Sequence, residues 1–362
     1  MQDGEVLQRI SKVKIAKIID DPKKTAKAVD LVYVSVALPG IVRKKTGTNF
    51  SYFVGDKKLI DKDELLRIKK LVLPPAWENV WICSLHNGHL QATGEDVKKR
   101  KQYRYHPHWN LLRNHTKFYR MLQFGKVLPE IRLQLEKDLS LPGLPLKKIL
   151  ATVVSLMERT NIRVGNNVYE KLYGSFGLTT LKDQHVKVNG QNLKFTFKGK
   201  KGIAHDISIK NKKLAAIVQR SRDIPGKELF QYIDDNNVSR TIDSGMVNDY
   251  IKELSGADFT AKDFRTWAGT VNAFLAFKEA GIPETDSAAK KNIVDALDKV
   301  AKQLGNTRMV CKKYYVHPAI ISLYESKGIQ KYFDQLDEIA REETKADLTQ
   351  DEKVIMKILE SS

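Results

Sequence analysis

Only two cysteines, Cys83 and Cys311, occur in 362 residues. They build neither a disulfide framework nor a paired-thiol metal motif, and two reduced thiols suit a cytoplasmic protein. No apolar run approaches the ~20 residues that a spanning helix needs. The longest, LVYVSVALPGIV at 31–42, is broken by Pro39 and Gly40 and reads as buried strand. It also starts too far in, and lacks the flanks, to be a secretory signal. His86, His89, His106 and His108 lack paired-ligand spacing, with no cysteine or carboxylate pair to complete a set, so no metal is expected there. Acidic residues are also in deficit, 43 against 62 Lys and Arg, for a net charge of +19 and a pI near 9.6. A polyanionic partner is implied: nucleic acid first, because each neutralised phosphate releases counterions, and an anionic membrane surface second.

Apolar residues make up 42% of the chain, enough for real cores, and the length suits two domains. Residues 1–28 read as a basic N-terminal arm with an amphipathic stretch from Val6 to Ile19. Residues 29–112 read as a small sheet-rich domain. GTNFSYFV ends at a Gly55-Asp56 turn, and VWICSL and GHLQAT flank Asn87-Gly88, a strong hairpin signal. Between them DKDELLRIKKLVL has helical spacing and stops at Pro74-Pro75. Residues 113–362 are mostly helical in pattern, with a strand-rich island at 185–209 turned at Asn189-Gly190 and at Gly199–Gly202. There Leu193, Phe195 and Phe197 alternate towards one face.

Between Lys98 and Arg120 stand eight Lys or Arg residues and no acidic one, interleaved with Tyr103, Tyr105, Trp109, Phe118 and Tyr119. Cations neutralise phosphates, while tyrosines offer a stacking face and a hydroxyl donor. A solvated basic face with Trp109 and Phe118 as core anchors is the competing reading.

Seven segments occur in one order: PPAW at 74–77, GHLQATG at 88–94, KQYRYHP at 101–107, IRVGNNVYEK at 162–171, FKGKKGIAH at 197–205, KDFRTWAGT at 262–270 and GNTRMVCKKYYVHP at 305–318. Together they resemble the type IB DNA topoisomerases, in the bacterial branch related to the poxvirus enzymes, over about residues 40 to 320. The resemblance implies a catalytic set of Arg163, Lys200, Arg265, Asn306 and Tyr315. It implies DNA contacts for Arg43, Gln91, Lys101, Tyr103, Arg104, Tyr105, Asn166 and Tyr169. Asn306 stands where the viral and nuclear branches carry histidine, so a histidine-type pH dependence does not carry over. Tyr314 lies beside Tyr315, and spacing from Asn306 favours the latter.

These residue types suit phosphodiester cleavage. A nucleophile must attack phosphorus, cations must hold the non-bridging oxygens, and an acid must protonate the leaving 5′-oxygen. Guanidinium offers paired donors matched to phosphate, and a lysine on a hairpin tip can reach a leaving group. The implied fold is α+β, a sheet-rich cap and a mostly helical catalytic domain forming a C-shaped clamp on double-stranded DNA. The implied activity relaxes supercoils of both signs through a 3′-phosphotyrosyl link, without metal, ATP or other cofactor, in a cytoplasmic, nucleoid-associated monomer. Two rivals stay open. A tyrosine recombinase shares the nucleophile, but its second arginine usually sits in His-x-x-Arg, where this chain has Lys262-Asp263-Phe264-Arg265. A non-catalytic DNA-binding protein would use the basic surface alone.

Overall fold

In the computed structural model, residues 21–47, 49–97, 99, 101–338 and 346–362 are described, without the side chains of residues 101, 113–117 and 119. The stretch Val6–Ile19 lies outside the described residues. The chain divides into two compact units, Met1–Tyr119 and Arg120–Ser362.

The first unit is built on a six-stranded antiparallel sheet of order β3-β2-β1-β4-β5-β6. Its strands are β1 (Ile41–Thr46), β2 (Asn49–Val54), β3 (Lys57–Lys58), β4 (Glu78–Ile82), β5 (Leu90–Glu95) and β6 (Lys101–Tyr105). Helix α1 (Pro22–Lys27) starts at Asp21, whose carboxylate accepts from Lys23 N and Lys24 N. Its Ala26 is fully buried with Val29, Leu31, Trp109 and Leu112, so the end of the expected arm is part of a core. Helix α2 (Lys62–Lys70) is capped by Asp61 and lays Ile68 against Ile41, Val80, Ile82 and Ala92. The expected strand at 31–38 is instead an irregular segment with one isolated parallel bridge, Val32 to Gly88, outside the strands of the sheet. A turn closed by Leu38 N to Ser35 O breaks it, and Pro39 has no N–H to extend a ladder. The strand forms after the turn, from Ile41.

Helix α3 (Pro107–Asp138) begins in the first unit and ends in the second. The second unit continues with α4 (Leu146–Thr160), α5 (Asn167–Tyr173) and a three-stranded sheet of β7 (Val186–Asn189), β8 (Asn192–Lys198) and β9 (Ala204–Lys210). Leu193, Phe195 and Phe197 of β8 all face the core, as their alternation predicts. Then come α6 (Lys212–Arg222), a small hairpin of β10 (Gln231–Ile233) and β11 (Ser239–Thr241), α7 (Ser244–Ser255), α8 (Ala261–Ala280) and α9 (Asp286–Leu304). The last helices are α10 (Arg308–Tyr314), α11 (Pro318–Glu325), α12 (Gln330–Glu338) and α13 (Gln350–Ser361). The mixed helix-and-sheet composition is that of an α+β protein. The β10–β11 hairpin has no counterpart in the sequence reading, since three-residue strands leave too short a period to detect.

Helices α4 and α8 are the axis of this unit. Ile149, Val153, Val154 and Leu156 of α4, and Phe274 and Phe277 of α8, are all fully buried. A polar network fastens α13 to the same core. Arg132 donates to both oxygens of Glu352 at 2.8 Å and to Glu158 at 2.7 Å, and Trp267 Nε1 donates to Glu352 at 2.8 Å. Burial pushes the Glu352 carboxyl up, but Arg132 and Trp267 outweigh it and the net shift is downward. Arg132→Ala would strand two carboxylates in a low-dielectric site, at a cost of about 3–5 kcal/mol. A lowered urea midpoint at neutral pH would report this. A loss below about 1 kcal/mol would mean the network acts like a solvent-exposed pair.

Candidate active site

Two helix C-termini meet in the second unit, and two arginines occupy the junction. A helix end leaves its last carbonyls without partners and carries partial negative charge. Helix α4 ends at Asn161 and α9 at Gly305, both in the left-handed conformation with φ of 57°. Arg265, on α8 and only 6% exposed, donates from Nη1 to Asn161 O and from Nη2 to Leu304 O at 2.6 Å. Its Nε has no hydrogen-bond partner. Arg163 donates from Nη2 to Gly305 O at 3.0 Å and to Asn306 Oδ1 at 2.7 Å. The backbone at 163–164 is held in turn by Leu178 N to Arg163 O at 2.9 Å and Thr179 N to Val164 O at 2.7 Å.

All these acceptors are neutral, so among the described residues the two positive charges stay uncompensated. Burial, and then the charge of Arg265, push Arg163 down to about 10. Burial likewise lowers Arg265, opposed by Tyr315. Neighbours register the same field. Burial raises the Cys311 thiol to about 11 while both arginines pull it down, and burial followed by both arginines lowers His205. A pair of guanidiniums with no carboxylate partner among the described residues has the chemistry to hold an anion.

Tyr315 caps the C-terminus of α10, its N–H bonded to Cys311 O at 2.9 Å. Its ring centroid lies 5.3 Å from Arg265 Cζ. Asn306 lies between α9 and α10, with its N–H on Ala301 O at 2.9 Å. Arg163, Arg265, Asn306 and Tyr315, separated by up to 152 positions along the chain, therefore form one cluster. Lys200 stands apart from them. It is exposed at the tip between β8 and β9, where Lys201 and Gly202 have φ of 64° and 75°, and its Nζ is 5.8 Å from the Tyr169 ring centroid. Asn166 caps α5, accepting from Val168 N at 2.9 Å and Tyr169 N at 3.3 Å. Tyr314 sits one residue before Tyr315, its ring 5.3 Å from Lys313 Nζ.

In the first unit, Tyr103 is 49% exposed on β6 and stacks on Tyr105, with ring centroids 5.9 Å apart and an interplanar angle of 11°. Arg104 donates to Leu71 O at 2.7 Å, tying β6 to the end of α2. Arg43 is buried, donates to Pro74 O and Trp77 O, and lies 4.2 Å over the Phe50 ring. Gln91 is buried too, and donates to Leu85, His86 and Gly88 carbonyls within the 85–88 turn. The Lys101 side chain lies outside the described ones. His89 accepts from Val34 N at 3.0 Å and stacks on Tyr33 at 4.2 Å. Among the described residues no group of three His, Cys, Asp or Glu could hold a metal, and no helix is long and apolar enough to cross a membrane.

Sequence reasoning missed the residues that seat the cluster. Gly269 lies four residues after Arg265, on the same face of α8. A Cβ there would meet Tyr315 O at 2.5 Å and Tyr315 Cβ at 3.0 Å. The buried Thr270 donates to Tyr315 O at 3.3 Å and accepts from His317 N at 3.0 Å. The four-residue step from a candidate arginine to a glycine was the available signal.

Residues 97–343 match the family described as eukaryotic DNA topoisomerase I, catalytic core, and residues 49–96 match the bacterial DNA topoisomerase IB, N-terminal domain. The DNA topoisomerase 1B of Acanthamoeba polyphaga mimivirus is 33% identical over 297 residues, covering 80% of this chain and 88% of the viral one. The DNA topoisomerase 1B of vaccinia virus (strain Copenhagen) is 24% identical over 255 residues, covering 70% and 77%. Monkeypox virus DNA topoisomerase I matches to the same extent.

Because Gly269 admits the Tyr315 backbone against α8, Gly269→Ala should overpack the contact and cost about 1–3 kcal/mol. Denaturant unfolding of the variant checks this. Unchanged stability would mean that the 315–317 turn gives way freely.

Proposed function

Because the chain belongs to the type IB DNA topoisomerases, we propose that it relaxes positive and negative supercoils by reversible single-strand cleavage in which Tyr315 is the nucleophile. The phenol oxygen attacks the scissile phosphorus and forms a 3′-phosphotyrosyl bond as the bond to the 5′-oxygen breaks. The freed 5′-hydroxyl end swivels about the intact strand under torsion, then attacks back and releases the tyrosine. The phosphotyrosine keeps the energy of the broken bond, so neither ATP nor metal is called for. Closure of the cap and catalytic units around duplex DNA is part of this proposal, with Tyr103, Tyr105 and the basic residues near them as cap contacts.

The observation that carries the reading is the pair of uncompensated guanidiniums beside Tyr315. The extra charge of the transition state falls on the non-bridging oxygens, and donors fixed beforehand pay no reorganisation when it develops. The Arg265 Nε–H is buried without an acceptor, a donor left unsatisfied in the site. Arg163 holds Asn306 by its Oδ1, which leaves the amide's NH2 end as a neutral donor. Its bond to Leu304 O is long, at 3.5 Å. Lys200 would supply the proton that the departing 5′-oxygen needs.

Supercoiled plasmid of either sign should relax in excess EDTA without nucleotide. Tyr315→Phe should bind DNA yet form no covalent adduct, while Tyr314→Phe keeps activity. An absolute magnesium requirement for cleavage, or a trapped adduct mapped to Tyr314, would refute the respective assignment.

Lys200→Ala should cleave normal DNA roughly 10²-fold or more slowly. It should recover on DNA with sulfur at the scissile 5′-bridging position, since a thiol of pKa about 8.5 leaves as its anion. Arg265→Ala should stay slow on both substrates, because the non-bridging oxygens still need their clamp. Equal Lys200→Ala defects on the two substrates in single-turnover cleavage would limit the lysine to phosphate binding.

A further inference from the structure

Lys200 and the arginine cluster belong to different elements, and something must set the distance between them. The hairpin neck and the turn at the end of α9 are both narrow where they face each other, because each carries a glycine. One side chain fills the space. His205, on β9, pairs across the strand with Phe197 and stacks on it, with ring centroids 4.9 Å apart and planes 17° apart. A Cβ on Gly199, the residue before Lys200, would lie 2.6 Å from His205 Nε2 and 2.7 Å from Cδ2. A Cβ on Gly305, the residue before Asn306, would lie 2.8 Å from His205 Cε1 and 3.5 Å from Arg163 Nη1. The ring is thus in contact with Phe197, with the backbone beside Lys200 and with the backbone beside Asn306. Gly305 O is also the acceptor of Arg163, 3.0 Å away.

We propose that His205 is a positioning residue: its imidazole is a rigid spacer between the Gly199 neck and the Gly305 turn, and it sets the reach of Lys200 to the leaving oxygen. This rests on the reading of Lys200 as general acid. The contribution is one of shape. The contacts are made by the flat faces and edges of the ring, so a phenyl ring of nearly the same size can replace it. Removing the ring leaves a gap beside both glycines, and the lysine-bearing tip loses its register with the phosphate. An error near an ångström in a catalytic group is costly even where the chemistry is intact. Proton delivery to the 5′-oxygen depends on that register, while the arginine clamp, anchored on helix ends, does not.

The test is single-turnover cleavage of the 5′-oxygen and 5′-bridging-sulfur substrates by the full-length parent, Lys200→Ala, His205→Ala and His205→Phe. His205→Ala should be roughly 10- to 100-fold slow on oxygen and close to parent on sulfur. His205→Phe should restore most of the oxygen rate. Should His205→Ala fold poorly, Gly199→Ala offers a second route. Gly199 has φ of −91°, which alanine tolerates, and its methyl would press on the ring. It should slow oxygen cleavage and leave sulfur cleavage close to parent. Equal defects on both substrates for either variant, or a parent-like oxygen rate, would overturn the spacer. Failure of sulfur to rescue Lys200→Ala would instead overturn the general-acid reading beneath it.

Discussion

Two guanidiniums held without a counter-charge are the constraint on which the site depends. Placing Arg163 and Arg265 together in a half-buried junction is unfavourable, and the lowered values of both express that cost. A carboxylate would relieve it but would fill the place a phosphate needs. The fold uses helix C-termini instead. The carbonyls of Asn161, Leu304 and Gly305 are unsatisfied by their own helices and accept from the arginines. Partial charges hold the cations in place and leave the full charge to be neutralised by an arriving anion.

Such a junction requires helices that do not yield. Helices α4 and α8 supply this through a close-packed core, in which small volume changes are felt at a distance. Tyr315 is fixed to that frame through its backbone, by Gly269 and Thr270, and its side chain also bonds Arg265. The Arg132–Glu352–Trp267 network closes α13 on the far part of the same frame. It sits outside the arginine cluster, and its charges are internally paired.

The first unit uses its polar residues in two ways that look alike in the sequence. Arg43 and Gln91 are buried and satisfied by nearby carbonyls, holding the 74–77 loop and the 85–88 turn. Tyr103 and Tyr105 stack on each other along an edge strand, with Tyr103 half in solvent. The second arrangement leaves a stacked aromatic face partly in solvent. An arginine in a motif and an arginine in a loop-stapling role have the same letter, and burial alone separates them.

Much of the molecule was readable in the chain because its signals are local. The alternation in 193–197, the helical spacing of α2 and α4, the Asn-Gly turns and the charge excess depend on residues a few positions apart. The motif order likewise singled out Arg163, Lys200, Arg265, Asn306 and Tyr315 as candidates. The segment at 31–38 misled because β-branched composition is no ladder, and the Ser35–Leu38 turn diverts the chain first. Contacts between segments that are remote in sequence were not readable. That α4 and α9 end at one point, that Gly269 and Gly305 are small because Tyr315 and His205 lie against them, and that four candidates cluster while Lys200 stands on a separate tip, were decided by tertiary structure. The physical reason is that sequence pattern encodes which face of an element is apolar, whereas the meeting of two helix ends is set by how whole cores pack.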